Sequence, residues 1–251
     1  MKYLLAFFIV TNFIYAGGVD RDTYFRSTDH MLEVYTVEGK EKGPVVLIIG
    51  GIHGDETSTI EAAEEYTKAK IEKGTLIVIP KANRPAVTKN VRMLDYDMNR
   101  LFAEQEALDS YEYKVVAKIK DFVGQADLVI NLHEGKGLYS RTKKGMGQSI
   151  VVDSDKILDL KNTALAAIKV MNKNVKQKKY YFKLNNHNTA SAKTKHPEQR
   201  GSLTYYSVYT VGKPAFGIEI SSDIKDSEYR VKLAMEAIDG FLKTVGIEHG
   251  F

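Results

Sequence analysis

Short, continuous apolar runs separated by amphipathic stretches constrain this chain more than any other feature. Val45–Ile49, Leu76–Ile79, Leu128–Leu132, Ile150–Val152 and Ala215–Ile220 show little polar alternation, the pattern of strands buried on both faces. Between them, Thr57–Lys70 places Ile60, Ala63 and Tyr66 on one side of a helix. Leu108, Tyr111, Val115, Ile119 and Phe122 repeat that spacing, as do Ile157–Met171 and the closing Ala234, Ile238, Phe241 and Val245. The alternation predicts a layered α/β domain. Met31–Val37 is expected to lie beside Val45–Ile49, joined to it by the turn-prone Gly39–Gly43.

A chain of 251 residues suits a single large domain. No internal repeat or linker divides it. Residues 172–200 stand apart as a polar, Lys- and Asn-rich stretch, expected to be an irregular lid or loop over a site. Residues 1–16 also stand apart. Lys2 precedes an apolar run, and Ala16 comes just before Gly17-Gly18. This reads as a secretory signal peptide, because the run falls short of the roughly 20 residues that span a bilayer. The expectation is an exported, periplasmic protein with residues 17–251 as one catalytic domain and no membrane insertion after cleavage. A net charge of +4 is too weak to argue for nucleic acid, and oligomeric state is not readable. With no cysteine, any metal must be held by histidine and carboxylate.

Such a set is present. His53-Gly54-Asp55-Glu56 follows one buried run, and His133 ends another. Two imidazoles and one carboxylate leave the fourth corner of a tetrahedral zinc ion open for water. Gly50, Gly51 and Gly54 allow the tight turns needed to bring His53 and Glu56 to one point. The short motif alone also reads as a turn with a surface Glu; His133 is what shifts the balance. Asp55 and Glu134 are expected to support the ligands without being ligands.

Arg92 and the string Asp95-Tyr96-Asp97-Met98-Asn99-Arg100 make a receptor for a substrate carboxylate, since guanidinium forks bind carboxylates bidentately and Asn adds a neutral donor. The string reads equally as a solvated loop in which the arginines pair with Asp95 and Asp97. Glu219 lies within an apolar run, where ionisation is costly unless the group is paired or beside a metal. It suits a general base next to zinc-bound water, or else a buried ion pair. His187 and His196, in the polar segment, are candidate substrate contacts. His30 and His249 read as structural or exposed, and Tyr205-Tyr206 as packing.

Taken in order, His53-Gly54-Asp55-Glu56, Arg92, Asp97-Met98-Asn99-Arg100, His133 and Glu219 resemble the zinc carboxypeptidase superfamily, including its aspartoacylase and succinylglutamate desuccinylase branch. Asn131–Tyr139, Gly147–Ile150, Ser202–Tyr206 and Lys213–Phe216 are more similar to the D,L-carboxypeptidases that trim peptidoglycan and set helical cell shape. Members of that group carry Gln where this chain has His53, and they continue into further C-terminal domains. The resemblance implies a zinc carboxypeptidase-like α/β fold, a mixed, twisted central sheet flanked by helices, and one zinc ion on His53, Glu56 and His133, with Glu219 as general base. It also implies that Arg92 stabilises the oxyanion and that Asn99 and Arg100 hold the substrate carboxylate. The implied reaction removes the terminal diaminopimelate from a peptidoglycan stem tripeptide. An N-acyl amino acid deacylase shares every one of these core residues, and a non-catalytic metal-dependent binder of cell-wall peptides is a third reading.

Overall fold

A computed structural model of the chain, describing residues 17–103, 109–140, 144–153 and 157–251, places eight strands in one sheet. The expected signal segment 1–16 and Leu108 lie outside the described residues. The strands are β1 (Val19–Tyr24), β2 (Leu32–Glu38), β3 (Glu41–Ile49), β5 (Lys73–Ile79), β6 (Leu128–Gly135), β7 (Ser149–Val152), β8 (Lys183–Asn186) and β9 (Ala215–Ser221), in the order β1-β2-β5-β3-β6-β9-β7-β8. Two-residue strands β4 (Lys70–Ile71) and β10 (His249–Gly250) pair separately. The centre, β5-β3-β6-β9, is parallel, while β1, β2 and β7 run against their inner neighbours. The mixed sheet agrees with the sequence reading.

The central strands are where the apolar runs predicted them, because a parallel strand covered on both faces must be apolar throughout. Leu47, Ile48, Leu76, Val129, Ile130, Phe216 and Ile218 are all inaccessible to solvent or nearly so. Helices α1 (Thr57–Tyr66) and α4 (Leu160–Met171) fall within the expected stretches, α3 (Tyr111–Gln125) runs one residue past Gly124, and α6 (Ser227–Thr244) begins ahead of Ala234 and ends just before Val245. Short α2 (Arg84–Lys89) and α5 (Leu203–Tyr205) complete the set, α5 running into a π-helical turn at Tyr206–Val211.

Two expectations are corrected. First, β2 and β3 do not pair. β5 lies between them, antiparallel to β2 and parallel to β3. The chain leaves β3 through α1 and returns as β5 on the β2 side, so the 39–43 segment bonds to Glu72 and Gly74 instead of closing a hairpin. Second, residues 172–200 are not wholly irregular: β8 pairs in parallel with β7. Its sequence, Lys-Leu-Asn-Asn, lacks the apolar signature because it is an edge strand with Lys183 and Asn186 exposed.

The connections position the site. From β3 the chain crosses one way to β5 and then back past β3 to β6. Right-handed crossovers in opposite directions put α1 and α3 on opposite faces of the sheet. The packing agrees: α1 and α4 both lean on α6, whereas α3 contacts β3 and the π-helical turn. Strand β3 is therefore a switch point, and a crevice opens at the carboxyl ends of β3 and β6. No helix among the described residues is long and apolar enough to cross a membrane.

Candidate metal centre and its cavity

His53 and Glu56 lie in the turn between β3 and α1, and His133 is near the end of β6. Gly51 in that turn has φ +66°, a conformation that favours glycine. Gly54 is required for space, since a Cβ there would lie 2.1 Å from the backbone carbon of Ala86 in α2. The Gly54 N–H donates to the carbonyl of Arg92, 3.2 Å away, which draws the Arg92 segment to the same crevice.

The three expected ligands converge. Their candidate donor atoms lie within 4.8 Å of one another, and all three residues are buried. His53 Nδ1 is 2.8 Å from Glu56 Oε1, and His133 Nδ1 is 2.9 Å from Glu56 Oε2. Donors around a tetrahedral zinc ion with bonds near 2.0–2.1 Å stand about 3.3 Å apart, a spacing between these carboxylate contacts and the 4.8 Å that encloses the whole set. The outer nitrogens are held from behind. His53 Nε2 lies 3.1 Å from Asp97 Oδ1, and His133 Nε2 lies 3.2 Å from Asn99 Nδ2. A histidine ligand steadied by a carboxylate behind its second nitrogen is the usual arrangement at a metal. The donor set fits zinc.

The charges match the geometry. Burial disfavours the Glu56 carboxylate, but His133 and His53 outweigh it and bring its pKa down to about 2. Burial also opposes charge on His53, yet bonds to Asp97 and Glu56 raise it to about 9. Asp97 is lowered, with His53 overcoming the effect of burial. Glu219 moves the other way: burial, reinforced by the charge of Glu56, pushes it up to about 7 against the pull of His133. It stands opposite His133 in the β6–β9 register, so both side chains face the same crevice.

Arg92 is half-exposed at the rim, with Nη1 3.5 Å from Glu56 Oε1 and Nη2 3.8 Å from Asp97 Oδ2. Arg92 thus pairs with Asp97, as the loop reading expected, and its guanidinium also lines the cavity. Asn99 is buried; its Oδ1 accepts from the Leu203 N–H at 3.0 Å. Arg100 Nη1 donates to the Asn99 carbonyl at 2.8 Å.

His53, Glu56, Arg92, Asn99, Arg100, His133 and Glu219 all line one cavity of about 1290 Å³. Lys136, Lys144, Lys193 and Lys195 bring positive charge to its lining, and His187 and His196 face each other there at 5.5 Å between ring centroids. Tyr205 stacks on Tyr209, Tyr206 packs against Phe102, and His30 lies between Phe25 and Tyr111, away from the cavity. Sequence reasoning missed Asp97 as the partner of His53. Its one signal is its place ahead of Met98-Asn99-Arg100, where it caps the 3₁₀ turn through the Asn99 N–H.

Comparison with known proteins follows the same lines. The family described as "Carboxypeptidase controlling helical cell shape catalytic" matches residues 17–250. Product-bound Cell Shape Determinant protein Csd4 from Helicobacter pylori superposes with a TM-score of 0.81 at 27% identity, over 87% of this chain and 56% of that one. Its mDAP-bound form, described as a D,L-carboxypeptidase, gives 0.77 at 28% identity, over 83% and 52%. The N-alpha-acetyl-L-2,4-diaminobutyric acid deacetylase of Halomonas elongata is 32% identical over 111 residues, 40% of this chain and 31% of the relative. The succinylglutamate desuccinylase of Pseudomonas putida is 31% identical over 114 residues, 41% of this chain and 34% of the relative. The chain thus spans about a third of these two curated relatives and just over half of Csd4. With nearly its whole described length matched, this chain belongs to the family of carboxypeptidases controlling helical cell shape, to whose catalytic part it corresponds.

Proposed function

We propose that this chain is a periplasmic, zinc-dependent D,L-carboxypeptidase that removes the terminal diaminopimelate from peptidoglycan stem tripeptides. The observation that carries this reading is the cavity. At about 1290 Å³ it exceeds the roughly 300–1,000 Å³ of an ordinary small-molecule site, and it suits an extended peptide better than a compact acyl amino acid. Its lysine- and arginine-bearing lining suits a substrate with several carboxylates. The likeness to Csd4 supports the same substrate class, and the apolar leader at residues 1–16 supports export.

His53, Glu56 and His133 would hold one zinc ion, which when bound polarises the scissile carbonyl and acidifies a water. Glu219 takes the proton of the attacking water and passes it to the departing amine. Burial near neutrality equips it for both halves of that task. Arg92, open at the rim beside Glu56, stabilises the oxyanion, while Asn99 and Arg100 hold the terminal carboxylate.

Digestion of purified muropeptides followed by mass analysis tests the assignment. Tripeptide stems that stay intact with and without added zinc would overturn it. The partial matches to deacylases favour one second reading, hydrolysis of N-acyl amino acids. Faster turnover of N-succinyl or N-acetyl amino acids than of muropeptides would establish that reading instead.

A further inference from the structure

Glu56 occupies the N-cap position of α1 but makes no side-chain cap bond, because its two oxygens face His53 and His133. A helix start needs acceptors for its free N–H groups, and here one comes from another element. Glu134, the residue after His133 on β6, accepts from the Ser58 N–H at 2.8 Å and from the Ser58 hydroxyl at 2.7 Å, both through Oε1. Its Oε2 lies 3.4 Å from Arg230 Nε of α6. Arg230 is itself anchored, donating through Nη1 to the Ile224 carbonyl at 2.7 Å. The Glu134 side chain is only 6% exposed.

From these contacts we infer that Glu134 is a positioning residue for the metal centre. It replaces Glu56 as an acceptor at the start of α1, so the Glu56 carboxylate is released for the metal. It also ties the helix turn bearing Glu56 to the strand bearing His133 and braces both against α6. This rests on the reading that His53, Glu56 and His133 bind zinc.

The arrangement separates positioning from plain structural support. Glu134→Ala removes both roles and leaves the buried Ser58 N–H without its acceptor. Glu134→Gln keeps an acceptor for Ser58 and loses only the charge facing Arg230. Arg230→Met removes the brace and keeps the Ser58 bonds.

The experiment measures zinc affinity by chelator competition, the visible spectrum of the cobalt-substituted protein, and the melting temperature of the metal-free protein. Glu134→Ala is expected to bind zinc about 10–100-fold more weakly and to show a changed cobalt spectrum. Glu134→Gln and Arg230→Met, which keep an acceptor for both Ser58 bonds, should bind zinc with wild-type affinity, even where Arg230→Met lowers the melting temperature. A folded Glu134→Ala with wild-type zinc affinity and cobalt spectrum would overturn the inference, whatever its melting temperature. If Glu134→Ala does not fold, Ser58→Ala carries the test. It removes one of the two bonds and should weaken zinc about fivefold; unchanged affinity would again overturn the inference. Wild-type protein that binds no zinc, or a His133→Ala variant that binds it as well as the wild type, would instead overturn the metal reading itself.

Discussion

Glu219 and His53 are neighbours in space with opposite proton behaviour. Glu219 is the only base the proposed chemistry uses, so Glu219→Gln should lower kcat by about 10²–10⁴-fold while zinc content, measured by elemental analysis, stays at the wild-type level. A variant with wild-type turnover would show that Glu219 is not the base. In the metal-free protein His53 is raised to about 9, so its stabilising contribution is complete below 6.5 and is lost as pH climbs through 9. The raised Glu219 acts in the same direction, its contribution being lost between 4.5 and about 7. Glu56, lowered to about 2, contributes above 4.5 and loses its effect only in strong acid. Zinc requires a neutral imidazole. The zinc-induced rise in melting temperature should therefore be larger at pH 9 than at pH 6.5, the limits set by His53; thermal scans showing equal rises would contradict this account.

Among the elements, α2 is short but controls where the β3–α1 turn can sit. With a Cβ at Gly54 placed 2.1 Å from backbone rather than from a flexible side chain, Gly54→Ala cannot be relieved by a rotamer change. It should cost about 1–3 kcal/mol in chemical denaturation and weaken zinc binding together with stability; a neutral result would mean that α2 moves freely. What was legible in the sequence divides along the same line. Strands β3, β5, β6 and β9 announce themselves because burial on both faces demands nearly continuous apolar runs. The His53, Glu56 and His133 set was legible because ligand chemistry tolerates few residue types. Strand order was not legible: the insertion of β5 between β2 and β3 depends on the direction of a crossover, which hydrophobic spacing does not encode. Nor was β8, whose edge position lets it be polar, or the Asp97 contact to His53 across 44 residues.

For the whole molecule, the distribution of charge matters more than its sum. The net charge of +4 hides a concentration of lysines at the cavity, where Lys193 and Lys195 are exposed on the segment that follows β8. Reversing both, as Lys193→Glu with Lys195→Glu, should raise KM for a carboxylate-rich stem peptide by about tenfold at low salt, leave kcat unchanged, and reduce the dependence of KM on ionic strength. Wild-type kinetics in that variant would show that the cavity lining does not attract substrate. The seam between β3 and β6 has one further consequence. Its parallel pairing joins a histidine to a carboxylate 77 residues away, so no contiguous fragment shorter than that span contains the donor set. The ion would be captured late, after the slowest kind of strand pairing, and would add its binding energy only to the finished fold. A metal centre built this way works as a ratchet on assembly: it does not help the chain reach the native sheet, but it slows the chain's departure from it.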